Sequence, residues 1–323
     1  MWLRRRPFAN RNRTQAQAIL RLQVFVGRKP NPALDKLSGF AFGMGQKLFL
    51  HKDMAKVERR GAKLGDLIYR FDKKHRERTY QNLLLAFPEW SEAKRAEVTK
   101  GVFRHFGIAT ADFLRTPLRT ETEVLDTMEV EGMEHWEGVQ SHIANGAIAC
   151  TAHLGNFERF GSWAKAVGQP ITVVAREANQ GAIQDRMEEL RKMAGIDFMG
   201  RGDAVRPILK KLREGKVVGL LPDQNSGEAF LPFFGHPCGT VLGPAVLHIR
   251  TGAIMIPAFC VRVGVGRYRV IIKPAIDVEH VSKDAEALMT QYNAVLESVI
   301  REFPDQYLWM HDRWKSARLK GFL

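Results

Sequence analysis

The stretch "ACTAHLGNFERFG" at residues 149–161 passes from a short apolar run to His153, turns at Gly155 and Asn156, and continues with Glu158. An apolar run that ends at glycine and asparagine is typical of a buried strand followed by a turn. Asn156 is a good N-cap, so we expect a helix to begin directly after it, with Glu158 in the first turn. The stretch therefore predicts a strand–turn–helix unit with a histidine at the carboxyl end of the strand.

Similar units fill the rest of the second half of the chain. Apolar runs rich in valine and isoleucine predict strands buried on both faces, and amphipathic stretches between them predict helices. The predicted strands are 146–152, 170–176, 216–223, 252–261 and 268–274, and the predicted helices include 157–168, 181–194, 203–214 and 240–251. Alternation at this spacing predicts an α/β fold with a central, mostly parallel sheet flanked by helices.

The N-terminal part of the chain is basic and helical in pattern. Residues 1–80 contain 20 Lys and Arg and 6 Asp and Glu, which accounts for the whole net charge of +14. Apolar residues recur at helical spacing from 54 to 86. We therefore predict a basic helical region at 1–110 and an α/β domain at 111–323. The charge suits a polyanion, either nucleic acid or an anionic membrane leaflet, and a solvated basic tail would have the same composition.

Composition excludes several classes of protein. The 323 residues are 45% hydrophobic and 26% charged, as in ordinary globular proteins. Cys150, Cys238 and Cys260 have no disulfide or metal spacing, so we expect a reducing, cytosol-facing setting without a metal. No apolar run approaches the roughly 20 residues that a spanning helix needs, and no signal peptide is recognisable. We therefore expect any membrane contact to be at the membrane surface.

The chemistry of the opening stretch depends on His153. A side chain at the carboxyl end of a buried strand projects into the crevice where open α/β sheets bind ligands. A carboxylate at Glu158, close behind the imidazole, would fix the tautomer of His153 and stabilise its protonated form. No G-x-S-x-G motif is present, so we expect the nucleophile to be a hydroxyl of the substrate. A structural histidine beside a helix-start glutamate would show the same spacing, and spacing alone does not separate the two.

Five blocks in order resemble one family. H-x4-E in "HLGNFE" is followed by "VVAREANQ" (173–180) and "VVGLLPDQNSGEAFLPFFG" (217–235). "NLLLAFPEWSEAKR" (82–95) lies upstream and "YLWMHDRWK" (307–315) downstream. Together they resemble the bacterial lipid A late acyltransferases, the lauroyl and myristoyl transferases of the lysophospholipid acyltransferase-like superfamily. The resemblance runs from about residue 60 to the end.

The resemblance implies a glycerolphosphate-acyltransferase-like fold and an O-acyltransferase. It implies that His153 is the general base and Glu158 its partner. The acceptor hydroxyl of a lipid A precursor would attack the thioester of an acyl carrier protein or of coenzyme A, without a covalent acyl-enzyme. No cofactor beyond this acyl co-substrate is implied. Lipopolysaccharide biosynthesis of this kind would take place at the cytoplasmic face of the bacterial inner membrane.

The family blocks also imply four substrate-binding residues: Arg176, Asn179, Asp223 and Gln224. A guanidinium at Arg176 suits a substrate phosphate or a developing oxyanion, and a salt bridge to a local acid is the alternative. Asn179 would equally serve as a turn former or helix cap. Asp223 is an awkward phosphate ligand, so we expect it to hold Arg176 or its own loop, or to be a simple turn residue.

Two further segments have paired interpretations. The aromatic stretch 230–240 would line an acyl-chain groove or pack in the core. The final block, with Trp314 between Arg313 and Lys315, fits a membrane surface, and a solvated tail is the alternative.

The chain departs from the family at its polar start, where many members have an apolar segment. This favours peripheral attachment to an anionic membrane surface and leaves other acceptors open, such as phosphatidylinositol mannosides. A non-catalytic protein that binds anionic lipid or nucleic acid is the alternative of a different class. No nucleic-acid-binding module is recognisable, so we expect no nucleic-acid partner.

Overall fold

A computed structural model describes residues 39, 42–175, 181–200, 205–279 and 281–323. Within them the predicted α/β fold is confirmed. A short helical segment at 42–47 comes first. The helices are α1 Met54–Phe71, α2 Lys73–Ala86, α3 Glu92–Leu114, α4 Glu121–Thr127, α5 Met133–Val139, α6 Phe157–Ala166, α7 Ala182–Met193, α8 Val205–Arg213, α9 Gly243–Thr251, α10 Ala285–Glu302 and α11 Lys315–Leu319.

Strands alternate with these helices through the second half of the chain. They are β1 Met128–Glu131, β2 Ala147–Cys150, β3 Ile171–Ala175, β4 Asp197–Gly200, β5 Val217–Leu220, β6 Ala229–Phe233, β7 His236–Thr240, β8 Ile254–Gly264 and β9 Arg267–Ile272. Short 3-10 helices occupy Thr116–Leu118, Gln140–Asn145 and Pro304–Gln306.

The described residues form a seven-stranded sheet in the order β1-β9-β8-β2-β5-β3-β4. The five strands from β8 to β4 are parallel to one another, and β9 runs antiparallel to β8. β2 is therefore the central strand, and β5 lies directly beside it. β6 and β7 form a separate antiparallel pair. The mostly parallel sheet is as predicted.

Both faces of the central strands are buried, because side chains alternate between the two faces of the sheet. Ile148 and Cys150 of β2 point into one core, which is covered by α10 and the C-terminal segment. Ala147 and Ala149 point into the other, which is covered by α5 and α6. A strand buried in this way has no polar alternation, which is why the apolar runs of the sequence located the sheet.

The helices α1 and α3 form a layer at the carboxyl edge of the sheet. They cross so closely that a Cβ at Gly65 would lie 2.2 Å from the carbonyl oxygen of Phe103. Glu58 of α1 binds the guanidinium of Arg262 in β8 and accepts the backbone N–H of Gly266. These contacts fix α1 against the β8–β9 hairpin.

Helix α3 continues across position 110, where the sequence suggested a boundary between two regions. The division into regions stays a prediction. In the part of the chain that the structure describes, no helix is long and apolar enough to span a bilayer.

Candidate active site

The loop between β2 and α6 carries His153 and is held on several sides. Gly155 has a φ of +62°, and a Cβ there would lie 2.0 Å from the carbonyl oxygen of Cys260, so only glycine fits. The N–H of Gly155 donates to Gln306, and its carbonyl lies 3.0 Å from Nε2 of His105. Asn156 caps α6 as predicted, accepting the N–H of Arg159. The loop is thus fixed before any substrate binds.

The imidazole of His153 is paired with Asp223. Nδ1 of His153 lies 2.9 Å from Oδ1 of Asp223, and Oδ2 of the same carboxylate accepts the backbone N–H of His153 at 2.9 Å. The His153 side chain is 21% exposed and that of Asp223 only 2%. Both contacts follow from sheet register, because Cys150 and Leu220 are partners on the neighbouring strands β2 and β5. His153 lies three residues after Cys150, and Asp223 lies three residues after Leu220.

The electrostatics of the pair favour a charged carboxylate and a basic imidazole. Burial alone would lower the pKa of His153, but the charge and hydrogen bond of Asp223 raise it above its ordinary value. Burial would raise the pKa of Asp223, but its contacts with His153 and the charge of Arg313 lower it. An ionised carboxylate only accepts hydrogen bonds, so Nδ1 carries the proton and Nε2 is the basic nitrogen.

The C-terminal segment supports the loop that carries Asp223. The backbone N–H of Asn225 donates to Nε2 of His311 at 2.9 Å, and Arg313 binds the carbonyl oxygen of Gln224 at 3.2 Å. The N–H of Leu308 donates to the carbonyl of His153 itself at 3.0 Å. Both halves of the histidine–aspartate pair therefore rest on one segment near the end of the chain.

Glu158 does not make the predicted contact with the imidazole. It lies in the first turn of α6, as expected, but its Oε1 accepts a hydrogen bond from Nε of Arg191 at 2.9 Å and lies 2.7 Å from Nη2 in an ion pair. The imidazole is oriented by Asp223 instead. The prediction that Glu158 fixes the tautomer is corrected on this geometry, because Asp223 on the neighbouring strand reaches Nδ1 directly. Whether Glu158 takes part in catalysis stays a prediction.

A buried charged cluster holds the start of α6 from behind. Asp112 of α3 accepts the side-chain amide of Asn156 at 2.9 Å and pairs with Arg119 and Arg159 at 2.9 and 3.3 Å. Burial would raise the pKa of Asp112, but the two arginines and the amide keep it lowered. The carboxylate therefore stays ionised and ties the N-cap residue of α6 to the helical layer.

The other predicted site residues fall into two groups. Gln224 lies at the site, where its Nε2 is 3.5 Å from Nε2 of His153. Asp223 does lie at the site, but its partner is the histidine. Arg176 and Asn179 lie outside the described residues, and their substrate-binding roles stay predictions.

Burial decides between the paired interpretations of the two aromatic segments. Leu231, Phe233 and Phe234 pack in the core beneath α10, with exposures of 5% or less, so the alternative of core packing is confirmed for these three residues. Trp314 is fully buried and packs on Phe233, so it is not a membrane-facing tryptophan. An apolar cavity of about 130 Å³ lies on the opposite face of the sheet, lined by α5, α6 and the strands.

The described residues contain no group of three or more histidine, cysteine or acidic side chains that could hold a metal ion.

The arrangement at His153 is suited to general-base chemistry. A buried carboxylate that holds Nδ1–H and leaves Nε2 basic at a partly open strand end is suited to remove a proton from a hydroxyl.

Sequence reasoning missed the roles of Asp112, Arg191 and Asp223 in the site. An aspartate in the otherwise apolar end of α3 is a usable signal, since a buried carboxylate requires partners. Arg191 had no signal, because arginines are common on the solvated face of an amphipathic helix. Asp223 was recognised as a strand-end residue. Its contact with His153 could not be predicted, because that contact depends on the order of the strands in the sheet.

Comparisons with known proteins agree on one family. The family model described as bacterial lipid A biosynthesis acyltransferase matches residues 49–316. The chain is 28% identical over 265 residues to a lipid A biosynthesis lauroyltransferase of Escherichia coli, covering 80% of this chain and 85% of that protein. It is 27% identical over 261 residues to the palmitoleoyltransferase of the same organism, with 79% and 84% covered. A phosphatidylinositol mannoside acyltransferase of Mycobacterium tuberculosis is 26% identical over 154 residues, with 46% and 48% covered.

Proposed function

Because this chain belongs to the bacterial lipid A biosynthesis acyltransferase family, we propose that it moves a fatty acyl chain from a carrier thioester to a hydroxyl of a lipid A precursor. The donor is the thioester of an acyl carrier protein or of coenzyme A. The observation that supports this most directly is the pairing of His153 with Asp223 at the carboxyl ends of two adjacent strands. Acyl transfer to a hydroxyl needs one general base, and this pair provides it.

In the first step, Nε2 of His153 removes the proton of the acceptor hydroxyl while the oxygen attacks the thioester carbonyl. A carbon–oxygen bond forms, and the carbonyl electrons move onto the oxygen. Asp223 keeps Nδ1–H in place and stabilises the positive charge that develops on the ring. We expect N–H groups at the start of α6, or a basic side chain such as Arg176, to stabilise the oxyanion.

In the second step, the tetrahedral intermediate collapses and the carbon–sulfur bond breaks. The imidazolium of His153 returns its proton to the departing thiolate, which leaves as the free thiol of the carrier. The products are the ester and the carrier thiol, and the histidine is again neutral. No enzyme group becomes acylated, so a covalent acyl-enzyme is not part of the proposal.

The test of the function is transfer of label from an acyl-carrier-protein thioester to a lipid A precursor by the purified full chain. Parallel reactions use acyl-coenzyme A as donor and a mannosylated phosphatidylinositol as acceptor. Label in the lipid A product supports the proposal. If label appears only in the mannoside, the proposed activity would instead be that of a phosphatidylinositol mannoside acyltransferase, the name of the mycobacterial relative. If neither acceptor is acylated from the thioester, the proposal that this protein acylates glycolipids would be contradicted.

We further propose that the enzyme works at the surface of an anionic membrane, on the cytoplasmic face of the bacterial inner membrane. The support is one face of α1. Leu67, Ile68 and Phe71 are 55%, 42% and 72% exposed at helical spacing. Beside them runs a stripe of exposed basic side chains: Lys56, Arg59, Lys63 and Arg70. An apolar face flanked by basic residues suits an anionic lipid surface.

The position of α1 also suits this role. Helix α1 packs on α3, and His105 of α3 contacts the loop that carries His153. The amphipathic face therefore belongs to the helical layer at the active-site edge of the sheet. A lipid acceptor in the leaflet would meet the enzyme on this side.

A double variant, Leu67→Glu with Phe71→Glu, is expected to bind phosphatidylglycerol vesicles at least about tenfold more weakly than wild type, because two apolar contacts are lost and two negative charges added. Vesicle co-sedimentation measures this. The control is the double variant Val265→Glu with Val281→Glu, which adds the same two negative charges at sites that are 56% and 78% exposed elsewhere. Equal binding by the double variant and wild type would contradict a role for this face.

A further inference from the structure

One support of the loop that carries Asp223 is itself a titratable group. The backbone N–H of Asn225 donates a hydrogen bond to Nε2 of His311 at 2.9 Å. Asn225 lies two residues after Asp223, whose carboxylate holds the imidazole of His153. A ring nitrogen of histidine accepts a hydrogen bond only when it carries no proton. The contact therefore exists only while His311 is neutral, with its proton on Nδ1.

The other described supports of this loop keep their charge near neutral pH. Arg313 binds the carbonyl oxygen of Gln224 at 3.2 Å, and the side-chain amide of Asn225 donates to the hydroxyl of Ser316 at 2.9 Å. Arginine, amide and aliphatic hydroxyl groups do not titrate in this range. The hydroxyl of Tyr307 also binds the loop, at 3.3 Å, and burial raises its pKa well above the ordinary value. Among these supports, the histidine is the one that acid removes.

Charged and titratable groups face the His311 ring from several parts of the chain. They are His153 after β2, Asp223 after β5, Asp312 and Arg313 in the same segment as the ring, and Arg78 of α2 and Arg318 of α11, which bind Asp312. Burial lowers the pKa of His311, the charge of Asp223 opposes this effect, and the charge of Arg313 adds to it. The pKa of His153 is raised instead. As the pH falls, His153 therefore takes up its proton before His311 does.

We propose that His311 is a positioning residue of the acyl-transfer site, whose neutral imidazole keeps the loop of Asp223 in the geometry that orients His153. This inference rests on the proposed function. When His311 takes up a proton, Nε2 becomes a donor that faces the backbone N–H of Asn225. The hydrogen bond is lost, and the loop is released from one of its contacts with the C-terminal segment. Acid thus removes both the general base and a support of its partner.

The structural test follows the backbone amide of Asn225 by NMR while the substrate-free full chain is acidified. In wild type its resonance is expected to move with the titration of the His311 ring, at a lower pH than the titration of His153. In His311→Gln the side-chain oxygen accepts the same hydrogen bond without titrating, so this movement is expected to disappear. His153→Ala is expected to retain it. The same movement in His311→Gln as in wild type would overturn the inference. Because this readout needs no acyl transfer, failure of the proposed function would be seen separately.

Activity provides the second readout. His311→Leu lacks the acceptor and is expected to lower kcat about tenfold at neutral pH with little change in KM, because a misplaced catalytic pair slows the chemical step. His311→Gln is expected to keep most of the activity. At a pH below the titration of His311, the kcat of wild type is expected to fall about tenfold relative to that of His311→Gln.

The matched control is His135→Gln, the same change at a partly exposed histidine of α5, which is expected to follow wild type at every pH. Equal losses in His311→Leu and His311→Gln would overturn the inference, because supplying an acceptor would then make no difference. Unchanged kcat in His311→Leu would overturn it as well.

Discussion

Replacing His153 by alanine is expected to lower kcat/KM for acyl transfer by about 10² to 10⁴-fold, the range that a general base contributes. Nε2 of this residue is the nitrogen that can take up the proton of the acceptor, since Nδ1 is held by Asp223. The measurement is initial-rate transfer from the labelled carrier thioester to the lipid A precursor at several concentrations of each substrate. We expect the loss in kcat, because proton removal is part of the chemical step.

The fold is expected to tolerate this change, since the His153 side chain is partly exposed and its backbone contacts remain. Thermal unfolding of the variant should therefore resemble that of wild type. His135→Ala, at a partly exposed histidine of α5, is the control that should retain full activity. Full activity in His153→Ala with normal folding would show that the histidine is structural and that another group is the base.

Replacing Asp223 by asparagine is expected to lower kcat by about 10³ to 10⁴-fold, as when the carboxylate of a catalytic triad is replaced by an amide. An amide no longer holds Nδ1–H uniquely, so the imidazole can place its proton on the wrong nitrogen. The pH profile should also change. Wild type needs neutral His153, whose pKa is raised by Asp223, so activity falls on acidification at a pH above the ordinary value of 6.5. In Asp223→Asn the negative charge beside His153 is absent, so the acidic limb of the pH–rate profile is expected to move to lower pH.

A second buried histidine–aspartate pair provides the control for this variant. His248 lies 3.2 Å from Asp277 at the other end of the fold and is fully buried. Asp277→Asn removes a comparable carboxylate, so it should lower thermal stability without moving the acidic limb of the pH–rate profile. An unchanged acidic limb in Asp223→Asn would contradict the assignment of Asp223 as the partner of His153.

The fold was largely predictable because its signals are local. The apolar runs at β2, β5 and β8 are buried on both faces, and Asn156 and Ser91 cap the helices that they were expected to begin. β1 escaped prediction because its four residues are mostly exposed and carry two glutamates, so it has no apolar run. It is a strand only because β9 offers it a partner.

The candidate site was predictable only in part, because its decisive contact is not local. Glu158 is near His153 in sequence, which made it the obvious partner. Asp223 is 70 positions away from His153 and reaches it because β5 pairs with β2. Strand order is a property of the whole sheet, and a single sequence does not contain it in any short pattern. The pairing of Glu158 with Arg191 depends in the same way on where α7 packs.

The support given by the C-terminal segment has a consequence for biosynthesis. Leu308 binds the carbonyl of His153, and His311 and Arg313 hold the loop that carries Asp223. These residues are translated long after the strands that they support. A nascent chain on the ribosome can form the sheet early, but the pairing of His153 with Asp223 lacks its support until this segment has emerged. The enzyme should therefore become active only after residues 308–313 have been synthesised and have packed on these strands.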